Sequence, residues 1–207
     1  NLDNSKKPFI IYKSNKGFDL YTDFSKKIIL TNNNIEKFIN KSTKFKSKKK
    51  ETDLFIGFFG YEILNNLIGI RIKKQKDLNF PKGIFYKPES KFKLPIKLNY
   101  KASKISKSNK SFKININKAS YKVIFDKFKN KIKSGETYQI KICTKYSNKT
   151  QIDALDFFCR LVKSNMAPEA FMIKDKDYSI ISCSPENLIN KKNDFITTKP
   201  IAGTLKK

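Results

Sequence analysis

The chain has 207 residues, of which 39% are apolar and 30% charged, so it holds enough apolar bulk for a folded core and is not a disordered tail. Its 45 basic residues against 18 acidic ones give a net charge of +27, and it contains no His, which excludes imidazole-based triads and metal sites within these residues. No apolar run reaches the length of a membrane span, and three widely spaced cysteines suit a reducing compartment, so we predict a cytoplasmic setting and no membrane partner.

The positive charge by itself favours a basic nucleic-acid-binding module, and this hypothesis stays open as an alternative from a different class. However, every basic residue except Arg71 and Arg160 is a lysine. Lys, Asn and Ile have codons rich in A and T, so a coding bias explains the charge without any such partner. Because proteins that recognise nucleic acids lean on Arg for bidentate contacts, we predict no nucleic-acid partner.

Short strand patterns and turns alternate in the first half of the chain. A basic, polar segment at 41–53 predicts an exposed loop, and the two prolines and the glycine of 77–88 predict another. Between them lies the apolar stretch LFIGFFGYEILNNLIGI, in which Gly57 and Gly60 indicate close backbone approach. The predicted elements of this half are strands at 8–13, 18–21 and 26–31 and a helix at 35–40.

Helical periodicity becomes clear after a connector at 101–117 that is rich in Lys, Ser and Asn. The following helix is predicted to be capped by Ser120 and to stop at Gly135. Alternation over 138–146 predicts a strand, and Asp153 is predicted to open a second helix. Two hairpins follow, pairing 170–173 with 178–183 and 187–189 with 195–199, so the pattern as a whole predicts an α+β fold.

Four motifs, taken in order, are more specific than any one alone. They are IGFFGYE at 56–62, IKSGETYQI at 132–140, SPENLI at 184–189 and TKPIAGT at 198–204. Together they resemble the chorismate-utilising enzymes, the family that includes component I of aminodeoxychorismate synthase and of anthranilate synthase.

This resemblance implies antiparallel sheets packed in a sandwich with helices outside, incomplete here. Residues 1–100 would be the N-terminal region of component I, 101–117 a basic linker or loop, and 118–207 the start of the chorismate-binding catalytic domain. The family's metal-binding glutamates and its His-bearing strand follow the PIAGT motif. We therefore expect a fragment, shortened at both ends, that holds no catalytic residue and no metal ligand and is inactive alone.

Gly203 and Thr204 are the chorismate contacts that the resemblance implies. Gly203 lacks a Cβ, so its amide can approach a carboxylate closely, and Thr204 adds a hydroxyl. Without the resemblance, the same residues would simply be a turn that ends a strand. For Gln139 a structural role in the sheet is the preferred interpretation, and for Glu186 a side chain that holds the hairpin backbone.

Two places in the sequence, residues 168–170 and Ala202, indicate which branch of the family the chain resembles. Pro168, Glu169 and Ala170 stand where feedback-inhibited anthranilate synthases carry the Pro-Tyr-Met of their tryptophan-binding motif, so we expect no tryptophan feedback. Ala202 is the third residue of PIAGT, where some aminodeoxychorismate synthases use a nucleophilic Lys, so water or ammonia would attack the ring directly.

The resemblance implies amination of chorismate to 4-amino-4-deoxychorismate, on the para-aminobenzoate branch towards folate. Synthesis of anthranilate, on the tryptophan branch, stays the alternative, and a non-catalytic chorismate-binding protein is a third possibility. Ammonia would come from a glutamine amidotransferase subunit or domain. The cofactor would be Mg²⁺, bound by ligands outside these residues.

Overall fold

The computed structural model describes residues 7–14, 16–42, 50–70, 80–97, 111–149, 152–165 and 167–201. Within them the strands are β1 (Phe9–Ser14), β2 (Gly17–Ile29), β3 (Ile56–Phe59), β4 (Gly83–Leu94), β5 (Lys113–Ile114), β6 (Tyr146–Ser147), β7 (Glu169–Lys174), β8 (Ser179–Ser184), β9 (Asn187–Lys192) and β10 (Phe195–Lys199). The helices are α1 (Ile35–Ser42), α2 (Tyr61–Leu67), α3 (Lys118–Lys133) and α4 (Ala154–Asn165). The predicted α+β class is confirmed, and no helix of these residues is long and apolar enough to cross a membrane.

A six-stranded antiparallel sheet is the main element, with the strand order β3-β4-β2-β1-β7-β8. Ile11, in the middle of β1, lies opposite Leu20 of β2 on one side and Met172 of β7 on the other. The sheet thus joins strands from the first hundred residues to the hairpin of β7 and β8, which confirms the first predicted hairpin.

An irregularity in β2 explains why two predictions were wrong. The strands predicted at 18–21 and 26–31 are one continuous strand, whose register with β4 shifts between Phe24 and Lys26. Asp23, just before the shift, has a φ of 52°. The loop predicted through 88 is wrong because β4 already begins at Gly83. Pro88 is tolerated there because it lies opposite Phe24 at the irregularity, where the ladder needs no donor.

One face of the sheet packs against α4. Its core contains Phe9, Phe18 and Met172 from the strands and Phe158 from the helix, and the rings of Phe18 and Phe158 meet edge to face at 5.9 Å. Helix α4 begins at Ala154, directly after the predicted opening residue Asp153, so this prediction is confirmed.

The opposite face holds a second apolar cluster, and the two short helices cover a third. Ile10, Tyr21 and Tyr86 are buried in the second cluster, while Ile35 of α1 and Ile63 of α2 are buried in the third. Gly57 confirms the predicted close approach, since a Cβ there would lie 1.9 Å from the backbone oxygen of Ile84.

The chain divides into two compact units, one of Asn1–Lys101 with Ala154–Lys207 and one of Ala102–Asp153. The second unit contains α3 and the short pair of β5 and β6. Asn117, not Ser120, caps α3, because the Asn117 side chain accepts a hydrogen bond from the Ser120 backbone N–H at 2.8 Å. The predicted stop is confirmed, since Gly135 has a φ of 78° and donates to the Ile132 oxygen.

The strand predicted over 138–146 is wrong. Only Tyr146 and the next residue form a strand, paired with β5, and residues 138–145 have no strand neighbour within the described part of the unit. A strand needs a neighbouring strand to satisfy the hydrogen bonds of its backbone, and among the described residues no strand pairs with 138–145. The second hairpin is confirmed as β9 and β10, which form a separate two-stranded sheet.

Candidate functional site

Ala202, Gly203 and Thr204 lie outside the described residues, so their roles stay predictions. Strand β10, which leads towards them, ends at Lys199, and the next two residues are exposed. The structure therefore shows the approach to the predicted chorismate contacts rather than the contacts themselves.

The three residues at the start of β7 differ in their surroundings. Pro168 is exposed, Glu169 is half-buried and Ala170 is buried in the cluster beneath α4. Glu169 is the first residue of the strand and pairs across the hairpin with Ser184 of β8. Glu169 thus places its carboxylate at the end of β7, on the face of the sheet opposite α4.

Glu169 is fully engaged by neighbours from two other strands. Its Oε2 accepts a hydrogen bond from the Tyr12 hydroxyl at 2.5 Å, and its Oε1 accepts one from Asn187 Nδ2 at 3.1 Å. Burial, together with the hydrogen bond and the charge of Glu169, raises the pKa of Tyr12 to about 12. The phenol therefore stays protonated and remains a donor at any physiological pH.

Asp19 carries a second charge network on the same face. It lies directly opposite Tyr12 on one side and Lys93 on the other, and its carboxylate oxygens contact Lys93 Nζ at 2.6 Å and Lys91 Nζ at 3.3 Å. Burial alone would raise the pKa of Asp19, but the hydrogen bonds from the two lysines outweigh it and lower that pKa. Lys91 also contacts Glu51 at 3.0 Å, which joins the loop before β3 to the sheet.

Asp175 forms a third network, where the chain leaves β7 for the turn. Its Oδ2 accepts hydrogen bonds from Lys27 Nζ at 2.6 Å and from the Tyr86 hydroxyl, and the Tyr86 hydroxyl lies 3.3 Å from that of Tyr178. Burial raises the pKa of Asp175, but these donors and the Lys176 backbone N–H outweigh it and lower the pKa to about 2. The β7–β8 turn is thereby fastened to β2 and β4.

The SPE turn between β8 and β9 is held by its serine. The Ser184 hydroxyl donates to the Glu186 backbone oxygen at 2.9 Å and accepts from the Glu186 backbone N–H at 3.2 Å. The structure thus gives the backbone of Glu186, and not its side chain, a part in the turn. Gln139, Lys141 and Lys145 lie exposed in the second unit.

Sequence reasoning missed the partners of Glu169 and the charge networks of Asp19 and Asp175, which are two of the buried aspartates. Asp19 interrupts the apolar pattern between Phe18 and Leu20, and Asp175 follows the last residue of β7, and a carboxylate in such a place signals a buried ion pair. Their lysine partners carried no signal, because lysine is spread through the whole chain.

No group of three or more Cys, Asp or Glu side chains among the described residues is placed to hold a metal ion, and the chain has no His. These residues therefore do not fit a Mg²⁺ site. The carboxylates of Asp19 and Asp175 are instead paired with lysines, and the carboxylate of Glu169 accepts hydrogen bonds from the neutral donors Tyr12 and Asn187.

Comparison with known proteins matches the family model described as chorismate binding enzyme to residues 3–207. Aminodeoxychorismate synthase component 1 of Salmonella typhimurium is 32% identical over 91 residues, which are 44% of this chain and 20% of that protein. Its counterpart in Bacillus subtilis is 32% identical over 79 residues, 38% of this chain and 17% of that protein. Anthranilate synthase component 1 of Mycolicibacterium smegmatis is 33% identical over 90 residues, 41% of this chain and 17% of that protein.

The matched stretches thus span about a fifth of the length of these relatives, which divide between two enzymes. The family model, in contrast, runs through all four motifs, from the glycine-aromatic stretch to PIAGT. The chain therefore belongs to the family of chorismate binding enzymes.

Proposed function

We propose that this chain is part of an enzyme that aminates chorismate, with 4-amino-4-deoxychorismate as the product. The observation that carries the proposal is the family match over residues 3–207, which includes both SPENLI and TKPIAGT. Anthranilate synthesis is the second candidate, because relatives of both names match with similar identity.

The surroundings of Glu169 support the first candidate. A tryptophan site at this position would need an apolar surface for the indole ring, and here a carboxylate takes that place with both oxygens occupied by Tyr12 and Asn187. Asp19, the other carboxylate of this face, is paired with two lysines. Glu169 keeps its negative charge, because the Tyr12 hydroxyl and the Asn187 amide are neutral, and a carboxylate disfavours an indole ring at this position. We therefore propose that tryptophan does not regulate the enzyme.

Gly203 and Thr204 are the proposed chorismate contacts. Backbone amides in a glycine turn form a concavity that binds anions, and chorismate carries two carboxylates. Ala202 offers no nucleophile, so ammonia attacks the ring directly.

The complete enzyme would supply the remaining parts. These are the second layer of the sandwich, the catalytic half that continues residues 118–207, the Mg²⁺ ligands and contact with the amidotransferase that delivers ammonia.

The test is an assay of the full-length protein that contains this chain, with chorismate, an ammonium salt and Mg²⁺. We expect 4-amino-4-deoxychorismate, identified by chromatography against both candidate products. Anthranilate as the product would establish the second candidate, and no consumption of chorismate would overturn both.

Two additions sharpen this assay. Thr204→Val removes the hydroxyl and is expected to raise the KM for chorismate about tenfold or more, whereas Lys206→Ala, two residues on, leaves it unchanged. Added tryptophan is expected to leave the rate unchanged, and inhibition by tryptophan would refute our interpretation of Glu169.

A further inference from the structure

Asn187 differs from every other described residue of the hairpin formed by β9 and β10. Within 185–201 all side chains are exposed except that of Asn187, the first residue of β9, which is half-buried. The hairpin is a two-stranded sheet of its own and pairs with no strand of the six-stranded sheet. Because both of its faces are exposed, the apolar pattern of these residues does not fix how the hairpin is placed on the main sheet.

A side-chain hydrogen bond connects Asn187 to the main sheet. Its Nδ2 donates to Glu169 Oε1 at 3.1 Å, and Glu169 Oε2 accepts a hydrogen bond from the Tyr12 hydroxyl at 2.5 Å. Glu169 begins β7 and Tyr12 belongs to β1, and neither strand is at an edge of the sheet. Hydrogen bonds to an ionised acceptor are roughly twice as strong as those between neutral groups. The start of β9 is therefore tied to the interior of the sheet.

The turn before β9 reaches the same place through the backbone. Ser184 lies opposite Glu169 in the ladder of β7 and β8. Its hydroxyl holds the backbone N–H and the backbone oxygen of Glu186, at 3.2 Å and 2.9 Å, directly before Asn187. Asn187 is thus held both through the turn and through its own side chain, and both connections lead to Glu169.

The ladder of the hairpin carries the position of Asn187 to the end of β10. Lys199, the last residue of β10, lies directly opposite Asn187. Between this pair and the pair of Asn190 with Thr197, β9 has two residues and β10 has one, so the ladder contains a bulge. A bulge bends its strand and redirects the residues beside it. Since Lys199 is three residues before Ala202, this pair determines where the chain leaves the hairpin towards the rest of the PIAGT motif.

We propose that Asn187 is a positioning residue for chorismate binding, because its hydrogen bond to Glu169 sets the direction in which β10 delivers Gly203 and Thr204. The inference rests on the proposed function, since it takes these two residues as the chorismate contacts. Asn187 acts through the hairpin and not on the substrate ring. The effect of such a residue is measurable, because a displacement of about 1 Å at a group that holds the substrate can cost up to roughly 100-fold.

Kinetics of the full-length protein that contains this chain test the inference, in the assay with chorismate, an ammonium salt and Mg²⁺. Asn187→Asp places a second carboxylate against Glu169, and the like charges repel each other. We expect the KM for chorismate to rise at least about fivefold while kcat stays within about twofold, because a contact that holds the substrate and the transition state equally acts on KM. Asn190→Asp makes the same change at an exposed residue of the same strand and is expected to alter neither constant.

A second substitution at Glu169 tests the hydrogen bond itself. Glu169→Gln, added to Asn187→Asp, supplies an amide donor opposite the new carboxylate and keeps an oxygen for the Tyr12 hydroxyl. We expect the KM of this double variant to return to within about twofold of the wild-type value. If Asn187 acted independently of Glu169, the effects of the two substitutions would add instead.

Three results would overturn the inference. They are an unchanged KM in Asn187→Asp, an equal rise in Asn190→Asp, or no recovery in the double variant. If circular dichroism shows that Asn187→Asp loses the fold, Asn187→Ala replaces it, and an unchanged KM there also refutes the inference. A wild-type protein that does not consume chorismate would refute the proposed function and this inference with it, whereas an active enzyme with an unchanged KM in these variants would refute the inference alone.

Discussion

The main sheet and helix α3 are built from the same lysine-rich composition, yet they differ in what they bury. Strands β1, β2 and β7 with α4 enclose a continuous apolar core. Helix α3 has a proper N-cap and a glycine stop, but none of its residues is buried. Local signals therefore suffice to start and end a helix, while packing decides how strongly it is held. The following predictions test this difference, beginning with the largest effect.

Truncating a core ring should separate the two regions most clearly. Phe158→Ala empties a position with 0% exposure against Phe18, and we expect it to lower the free energy of unfolding by about 3–5 kcal/mol. Phe125→Ala on α3, where the ring is 45% exposed, should cost less than about 1 kcal/mol. Urea denaturation followed by fluorescence measures both, and equal costs would contradict the comparison.

Ion pairs should show the same contrast. Asp175→Ala leaves the Tyr86 hydroxyl buried without its acceptor, and we expect a loss of roughly 2–4 kcal/mol. Glu136→Ala removes an exposed pair with Lys131 in the second unit and should leave the unfolding midpoint unchanged within error. A larger loss of stability from Glu136→Ala than from Asp175→Ala would contradict the claim that the buried ion pair stabilises the fold more than the exposed one.

Acid should weaken the sheet through Asp175. Its pKa is lowered to about 2 in the folded chain, so its contribution is complete above the ordinary carboxyl pKa near 4 and is lost as the pH falls through 2. We expect this residue to account for about 2 kcal/mol of the stability lost between pH 6 and pH 2. Asp175→Asn, which cannot titrate, should show a correspondingly flatter profile, and an unchanged slope would refute the linkage.

The helix cap should give the smallest effect. Asn117→Ala removes the acceptor of the Ser120 N–H and is expected to cost about 1 kcal/mol of helix stability. Ser120→Ala should be nearly neutral, because its side chain has no part in the cap. Far-ultraviolet circular dichroism on heating compares the two, and a larger loss from Ser120→Ala would restore the original sequence prediction.

Periodicity and turn residues were enough to predict α4 and both hairpins, because each depends on neighbours in sequence. The close approach at Gly57 was predicted from the glycine within an apolar strand pattern, although its partner Ile84 lies on another strand. The strand expected over 138–146 failed because alternation describes a strand's faces but not whether another strand is available to pair with it. The loop predicted through Pro88 was wrong for a similar reason. A proline is acceptable inside β4 only because of the irregularity in β2, which the sequence does not reveal.

The site could be predicted from sequence only as motifs. SPENLI and TKPIAGT indicated the family, but they did not indicate the partners of Glu169. Asn187 belongs to SPENLI and is 18 residues from Glu169, whereas Tyr12 is 157 residues away. No local pattern links Tyr12 to Glu169, because their contact depends on the pairing of β1 with β7.

Hydrogen exchange measured by mass spectrometry on the full chain tests the contrast between the two regions most directly. We predict slow exchange in peptides covering β1, β2 and β7, at protection close to that of global unfolding, and fast exchange in α3. Equal protection of α3 and the sheet would contradict the claim that burial, and not local capping, separates these regions.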